Sequence, residues 1–340
     1  MVEGRRHWFP MLMLTLALAG SPAGAGTVGA VALPVIDMHV HASQIRSASP
    51  IAVCPGHRPM SYIGVDPKYP VPEEQLVQCD RSLLSPPTSA ALRDGTIAEL
   101  RRHNVRRAVL AGTPTLVREW SAAAPGLFLL AAVPVDRSAD ALARLRQLHR
   151  QGRAALFAEL GAQFLGMRAD DPRLDAFWAL AEQLDVPVGI HLGEGMQGQP
   201  AASRTDAYRA ALTSPFQLEK VLLKHPRLRL YVMHAASPLT DEMIAMLFEY
   251  PTLYVDMSAN NWNMPRAQFH DQLKRFVEAG FAKRILFGSD QTLFPQAIGL
   301  AIEAFEQAPF LTAEQRRDIL YNNAARFLRL TKEQIAADHR

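Results

Sequence analysis

Two histidines one residue apart, His39 and His41, close the apolar run "VIDMHVHAS" at residues 35–43. Three further groups occupy comparable places: His191 in "VPVGIHLG", His234 in "LRLYVMHAA" and Asp290 in "RILFGSD". A neutral imidazole is the commonest protein ligand for a transition metal. Several imidazoles with a carboxylate suit zinc or a similar divalent ion. A single histidine at a strand end is ordinarily a hydrogen-bonded rim residue. Five such groups, each ending an apolar run, point instead to one shared metal site. An ion so held lowers the pKa of its water from 15.7 toward about 7, which makes hydroxide available at neutral pH.

For these residues to meet, the elements carrying them must converge. Candidate strands cover 31–40, 106–112, 127–135, 154–161, 186–193, 228–236, 252–260 and 284–290. Helical patterns fall between them at 92–102, 139–150, 172–184, 215–224, 241–248, 265–279 and 295–307. A last helix, 312–328, starts at Thr312 with Gln315 completing a capping box. Continuous apolar strands suit a parallel sheet buried on both faces. Eight strand–helix units predict a (β/α)8 TIM barrel, and no Gly-rich phosphate loop follows the first strand to favour an open doubly wound sheet. In such a barrel the C-terminal strand ends gather at one rim, and period-two alternation sends His39 and His41 to the same side of their strand.

One connection is disproportionately long. Residues 43–90 form a Pro-rich insertion after strand one that contains both cysteines of the chain, Cys54 and Cys79. Leaving the barrel at its active rim, it is expected to act as a flap over the site, pinned by a Cys54–Cys79 disulfide.

The N-terminus is a separate matter. Arg5 and Arg6, then an apolar stretch of roughly ten residues and the small residues Ala23-Gly24-Ala25, have the layout of a secretory signal. We expect a signal peptide over residues 1–25, one domain over 26–340, and a periplasmic or secreted product. The apolar stretch is too short to span a bilayer, so no membrane span is expected after cleavage. Net charge is only +3 with no dense basic run, giving no support for nucleic-acid binding. The expected partner is a small-molecule substrate; a homo-oligomer is compatible with the sequence.

The ordered set "DMHVHAS", "GIHLGEG", "YVMHAA" and "ILFGSDQ", with the closing "ILYNNAARFLRL", resembles the amidohydrolase superfamily. The resemblance is to its amidohydrolase-related branch, which includes enzymes like aminocarboxymuconate-semialdehyde decarboxylase, and it covers residues 31–330. It implies that His39, His41, His191 and Asp290 ligate a divalent metal, with zinc expected. His234 would stand beside the bound water or the substrate as acid, base or electrophile. Two departures are visible: Ala235-Ala236 follow the strand-six histidine where many relatives carry glycines, and Gln291-Thr292 follow Asp290 without an early proline.

Glu159, in the apolar "AALFAELG", raises the number of ions. Binuclear members of the superfamily bridge two ions from this strand. A bridging Glu159 would give one ion His39, His41, Glu159 and Asp290, and the other Glu159, His191 and His234. Without bridging, one ion suffices and Glu159 orients a ligand or the substrate; the sequence reading leans to one.

The resemblance implies hydrolysis of a C–N or C–O bond in an amide, ester or lactone, with Asp290 as general base and then acid. The alternative is non-oxidative decarboxylation of an aromatic or conjugated acid, which calls for a cation such as Arg168 or Arg204. A metal-binding protein without turnover is a third reading, opposed by the completeness of the ligand set. Glu194 and His57 are expected to be solvated loop residues, and Asn260 and Trp262 are candidates for the site's mouth.

Overall fold

All eight apolar runs form strands, because each supplies side chains to a barrel interior on one face and to a helical shell on the other. A computed structural model describes residues 33–56, 68, 79, 81–133, 138–195 and 207–340. The expected signal segment, His57 and Arg204 lie outside these residues.

The barrel strands are β1 (Val35–Ala42), β2 (Val105–Gly112), β3 (Phe128–Leu130), β4 (Phe157–Leu160), β5 (Val188–His191), β6 (Leu230–Met233), β7 (Tyr254–Asp256) and β8 (Ile285–Leu286). All pairings among them are parallel, in the spatial orders β1-β2-β3 and β4-β5-β6-β7-β8. An Ala131–Leu156 bridge joins β3 to the run before β4. On the other side Met38 N–H donates to Phe287 O (2.8 Å) and Asp290 N–H donates to His39 O (2.8 Å), so the last strand returns to the first. This is the arrangement expected of a (β/α)8 barrel.

Inside the ring pack Ile36, Met38, Val109, Leu156, Tyr231 and Leu286. Outward-facing strand residues such as Val40, Leu110, Val188 and Val232 pack with Trp120, Trp178 and Phe305 of the shell. The barrel is therefore filled, and its polar chemistry is confined to the rim.

Most shell helices fall where the patterns place them, for example the helix Ala139–Arg150, but three features differ. A helix over Pro114–Ala123 was not expected; Thr113 caps it, with Pro114 at its first position. The closing helix is interrupted by a π-helical turn, Asp318–Asn322, although its predicted capping box is present. A further helix, Lys332–Asp338, uses a second capping box between Thr331 and Gln334.

The insertion contains a short antiparallel pair, Ala52–Val53 with Leu83–Leu84, and the Cys54–Cys79 disulfide. Gly56 N–H donates to Trp262 O (2.8 Å), tying the disulfide segment to the rim after β7. Residues 57–67, 69–78 and 80, the body of the expected flap, lie outside the described residues. Among the described residues no helix is long and apolar enough to cross a membrane.

Candidate metal centre

The strand ends bring the predicted residues together. His39 and His41 point the same way from β1, with their Nε2 atoms 3.0 Å apart. Gly288 makes room for the first of them: a Cβ there would stand 2.8 Å from His39 Cβ. Asp290 approaches from beyond β8, its Oδ1 3.1 Å from His41 Nε2 and 3.9 Å from His39 Nε2. From β5 and the turn after β6, His191 Nδ1 and His234 Nε2 lie 3.1 Å apart.

Glu159 stands between these two sets. Its Oε1 is 2.5 Å from His191 Nδ1 and 3.7 Å from His234 Nε2. Its Oε2 is 3.5 Å from His41 Nε2 and 3.7 Å from His39 Nε2. Three overlapping donor triads result: His39, His41 and Asp290 on one side, Glu159, His191 and His234 on the other, and His39, His234 and Asp256, which shares one histidine with each.

The donor atoms fit a cation better than they fit one another. Asp290 Oδ1 is buried and accepts no hydrogen bond. His41 Nε2 faces it at 3.1 Å as an ion-pair partner. Burying a carboxylate oxygen without a partner costs several kcal/mol, so convergent lone pairs of this kind indicate a missing positive charge. Oxygen and imidazole donors in these numbers suit zinc, manganese or iron.

For the two carboxylates and His191 the electrostatics agree, whereas His39 and His234 are raised, against burial, by the same buried carboxylates. Burial pushes Glu159 up, but His191, together with His234 and His39, holds it well below the usual carboxylate range. Burial likewise opposes ionisation of Asp290, and the imidazoles of His39, His41 and His234 outweigh it and lower its pKa. His191 is pushed down mainly by burial, which favours the neutral ligand form. Burial also acts downward on His39, yet Asp290, Asp256 and Glu159 carry it well above its ordinary value. Asp37, within β1, is raised to about 6 by burial.

Behind the donors lies a second set of buried polar groups. Asp256 Oδ1 accepts from His234 N–H (2.9 Å), Ser258 N–H (3.0 Å) and Ser258 Oγ (2.6 Å). His39 Nδ1 lies 2.8 Å from Ser258 Oγ and 3.3 Å from Asp256 Oδ2. Gln291 brackets His41, accepting its N–H and donating to its carbonyl. Tyr208 Oη donates to Gly193 O (2.7 Å) and lies 3.4 Å from His191 Nε2. The short helix Asn260–Asn263 stitches three strand ends together: Asn260 Nδ2 donates to His234 O, Asn261 Nδ2 to Gly288 O and Trp262 Nε1 to Ser289 O.

The rim also holds unusual backbone. His234, Ala235, Ala236, Ala259, Asp290 and Thr292 all have positive φ, between 43° and 62°. Such conformations cost about 1–3 kcal/mol each and persist where the surroundings over-determine them. Ala235-Ala236, noted above where relatives carry glycines, thus adopt a glycine-like conformation without being glycine.

A family model described as Amidohydrolase matches residues 36–330. The chain belongs to the amidohydrolase family. Solved structures similar to this amidohydrolase include a probable 2-pyrone-4,6-dicarboxylic acid hydrolase from Acinetobacter baumannii. It is 16% identical with a TM-score of 0.58, over 88% of this chain and 100% of that one. A 5-carboxyvanillate decarboxylase from Sphingomonas paucimobilis is 17% identical with a TM-score of 0.52, over 69% and 82% of the two chains. A dihydroxybenzoic acid decarboxylase from Polaromonas sp. JS666, with bound manganese, is 16% identical with a TM-score of 0.52, over 78% and 92%. At these identities the likeness is one of fold. No curated protein matches the chain by sequence comparison.

This amidohydrolase therefore gathers His39, His41, Glu159, His191, His234 and Asp290 into one centre. Arg168 does not join them: it is about half exposed and forks onto Asp170 at 2.7 and 3.1 Å. Glu194 is exposed on the following loop. Asn260 and Trp262 act through the backbone, holding carbonyls beside the donors. Asp256 and Ser258 were missed, although a carboxylate ending the apolar run "TLYVD" is the same signal that singled out Glu159.

Proposed function

We propose that this amidohydrolase is an exported hydrolase that holds two divalent ions and cleaves an amide, ester or lactone bond in a small molecule. The observation carrying the reading is Glu159, whose two oxygens address different donor sets, Oε1 facing His191 and Oε2 facing His41. When bound, a divalent ion supplies an activated water and polarises a carbonyl oxygen. Asp290, buried and with one oxygen free of hydrogen bonds, is placed to take a proton from the attacking water and return it to the leaving group. His234, aligned by Ser258 and Asp256, completes the second donor set instead of acting as a free acid. Zinc fits the imidazole-rich set. Residues 1–25 and the Cys54–Cys79 bond support an oxidising, extracytoplasmic setting.

The decarboxylase alternative comes from the same family branch and is shared with decarboxylases among the structural neighbours; of the two cations considered for it, Arg168 is committed to Asp170, and Arg204 lies outside the described residues. The test is elemental analysis of the purified mature protein beside a panel of esters, lactones, amides and aromatic acids. About two ions per chain and chelator-sensitive hydrolysis support the proposal. Release of carbon dioxide from an aromatic acid without hydrolysis of any panel member overturns it.

A further inference from the structure

We propose that Asp256 and Ser258, at the end of β7, are positioning residues that fix the tautomers of two ligand histidines on different strands, His39 and His234. The inference deepens the metal-centre reading and rests on it.

A serine hydroxyl has one hydrogen to give. Ser258 Oγ lies 2.6 Å from Asp256 Oδ1, whose other two contacts are backbone N–H donors, so the hydroxyl hydrogen is committed to the carboxylate. Toward imidazoles Ser258 Oγ is then an acceptor only. His39 Nδ1, at 2.8 Å, must carry the hydrogen of that contact. Asp256 Oδ2, 3.3 Å from the same nitrogen, is a second acceptor and imposes the same choice. His234 Nδ1 lies 3.1 Å from the carbonyl of Ser258 and 3.2 Å from its Oγ, and neither atom has a hydrogen to offer. Both imidazoles are therefore hydrogen-bearing at Nδ1, and both are left with Nε2 as the nitrogen able to bind a cation. Those are the atoms that face Glu159 and the other donors.

One short segment thus sets the ligand atom of one histidine in each donor triad. Asp256 and Ser258 are fully buried, so bulk water cannot substitute for them. Groups that orient metal-bound histidines in this way are typically worth about 10- to 100-fold in metal affinity.

Asp256→Asn gives an unusually directed test. The three donors at Oδ1 hold the amide oxygen there, which places the NH2 group where Oδ2 stood, facing His39 Nδ1. Two donors then confront each other, and His39 is driven to the tautomer whose Nε2 carries hydrogen. Zinc affinity, measured by competition with a chromophoric chelator, is expected to fall about 10- to 100-fold in Asp256→Asn and about 10-fold in Ser258→Ala. Ser258→Thr, which keeps the hydroxyl, should restore affinity to within about threefold of the parent. Nitrogen-15 NMR of the zinc-loaded protein should show slowly exchanging Nδ1–H protons on His39 and His234, and the His39 signal should be lost in Asp256→Asn, whose amide opposes a donor to it. A role confined to folding would leave these signals in place in any variant that folds. Parental affinity in both Asp256→Asn and Ser258→Ala, or absence of the two Nδ1–H signals from the parent protein, overturns the inference. If the parent itself binds no zinc, the metal-centre reading fails first, and the two failures are distinguishable.

Discussion

Glu159 holds Oε1 2.5 Å from His191 Nδ1 while its Oε2 faces the β1 histidines at 3.5 and 3.7 Å. A carboxylate with both oxygens engaged in opposite directions is shaped to bridge. Glu159→Gln keeps the shape but removes the charge and turns one acceptor into a donor. We expect metal content after dialysis to fall from about two ions per chain toward one, with turnover reduced by about 100-fold or more. Elemental analysis of parent and variant checks this; equal stoichiometry in the two proteins would refute bridging.

Asp290 makes a different contribution, because its Oδ1 accepts no hydrogen bond and its backbone N–H is already used to close the barrel against His39 O. Asp290→Asn preserves that backbone link. The fold should survive, as read by circular dichroism and melting temperature, while turnover falls by at least about 100-fold for want of a general base. Parental turnover in the variant would remove Asp290 from the mechanism.

The strands and the site were legible for one reason: parallel barrel strands are continuous apolar runs, so a polar residue ending one stands out. His39, His41, His191, His234, Asp290 and Glu159 all carried that mark. Asp256 carried it too and was passed over, because the family resemblance assigns no ligand to that strand and its partners, His39 and His234, come from other strands. Arg168 was named, with Arg204, only as a candidate cation for the decarboxylase alternative, and the nearby Asp170 claims it instead. The helix Pro114–Ala123 announces itself only through Thr113-Pro114, since it is short. The π turn in the closing helix packs against the run that follows β8, with Phe287 N–H donating to Ile319 O, and such a tertiary contact leaves no periodic trace. Whether Glu159 bridges was likewise beyond sequence, because it depends on distances between strands.

Gly288 tests how tightly His39 is held. A methyl group there would lie 2.8 Å from His39 Cβ and 3.2 Å from Ser258 Cβ, and neither is the end of a flexible chain. Gly288→Ala should therefore move His39 away from Asp290 and Glu159. Overpacking of this kind costs about 1–3 kcal/mol. We expect a lower melting temperature together with at least about tenfold weaker zinc binding. Unchanged affinity would mean that the strand end yields elsewhere.

Removing the metal should itself destabilise the fold, because the buried carboxylates of Glu159 and Asp290 then face one another's field without a cation. A ligand present at about a thousandfold its dissociation constant contributes about 4 kcal/mol. For a domain of this size that corresponds to a melting temperature lower by about 5–10 °C after chelation. Readdition of zinc should reverse the shift. Identical melting curves with and without chelator would show that the donor cluster does not need an ion to remain stable.

At the opposite end of the barrel, Asp338 of the last helix is a point of stability with no part in the chemistry. Its Oδ2 accepts from Arg107 Nε (2.7 Å), beside the start of β2, and from Tyr321 Oη (2.8 Å). Its backbone carbonyl accepts from Arg106 Nε (3.0 Å). Asp338 and Arg107 are 7% and 15% exposed in their side chains, so water replaces a lost partner poorly. Asp338→Ala removes a charge-assisted bond and a neutral one while leaving a largely buried guanidinium uncompensated. A loss of about 2–4 kcal/mol follows from the usual cost of breaking such pairs. Urea unfolding should register that loss at unchanged slope, while zinc affinity stays at the parental value because the donors sit at the other strand ends. A drop in zinc affinity of tenfold or more in Asp338→Ala would show that the two ends of the barrel are coupled and would refute this separation of stability from chemistry.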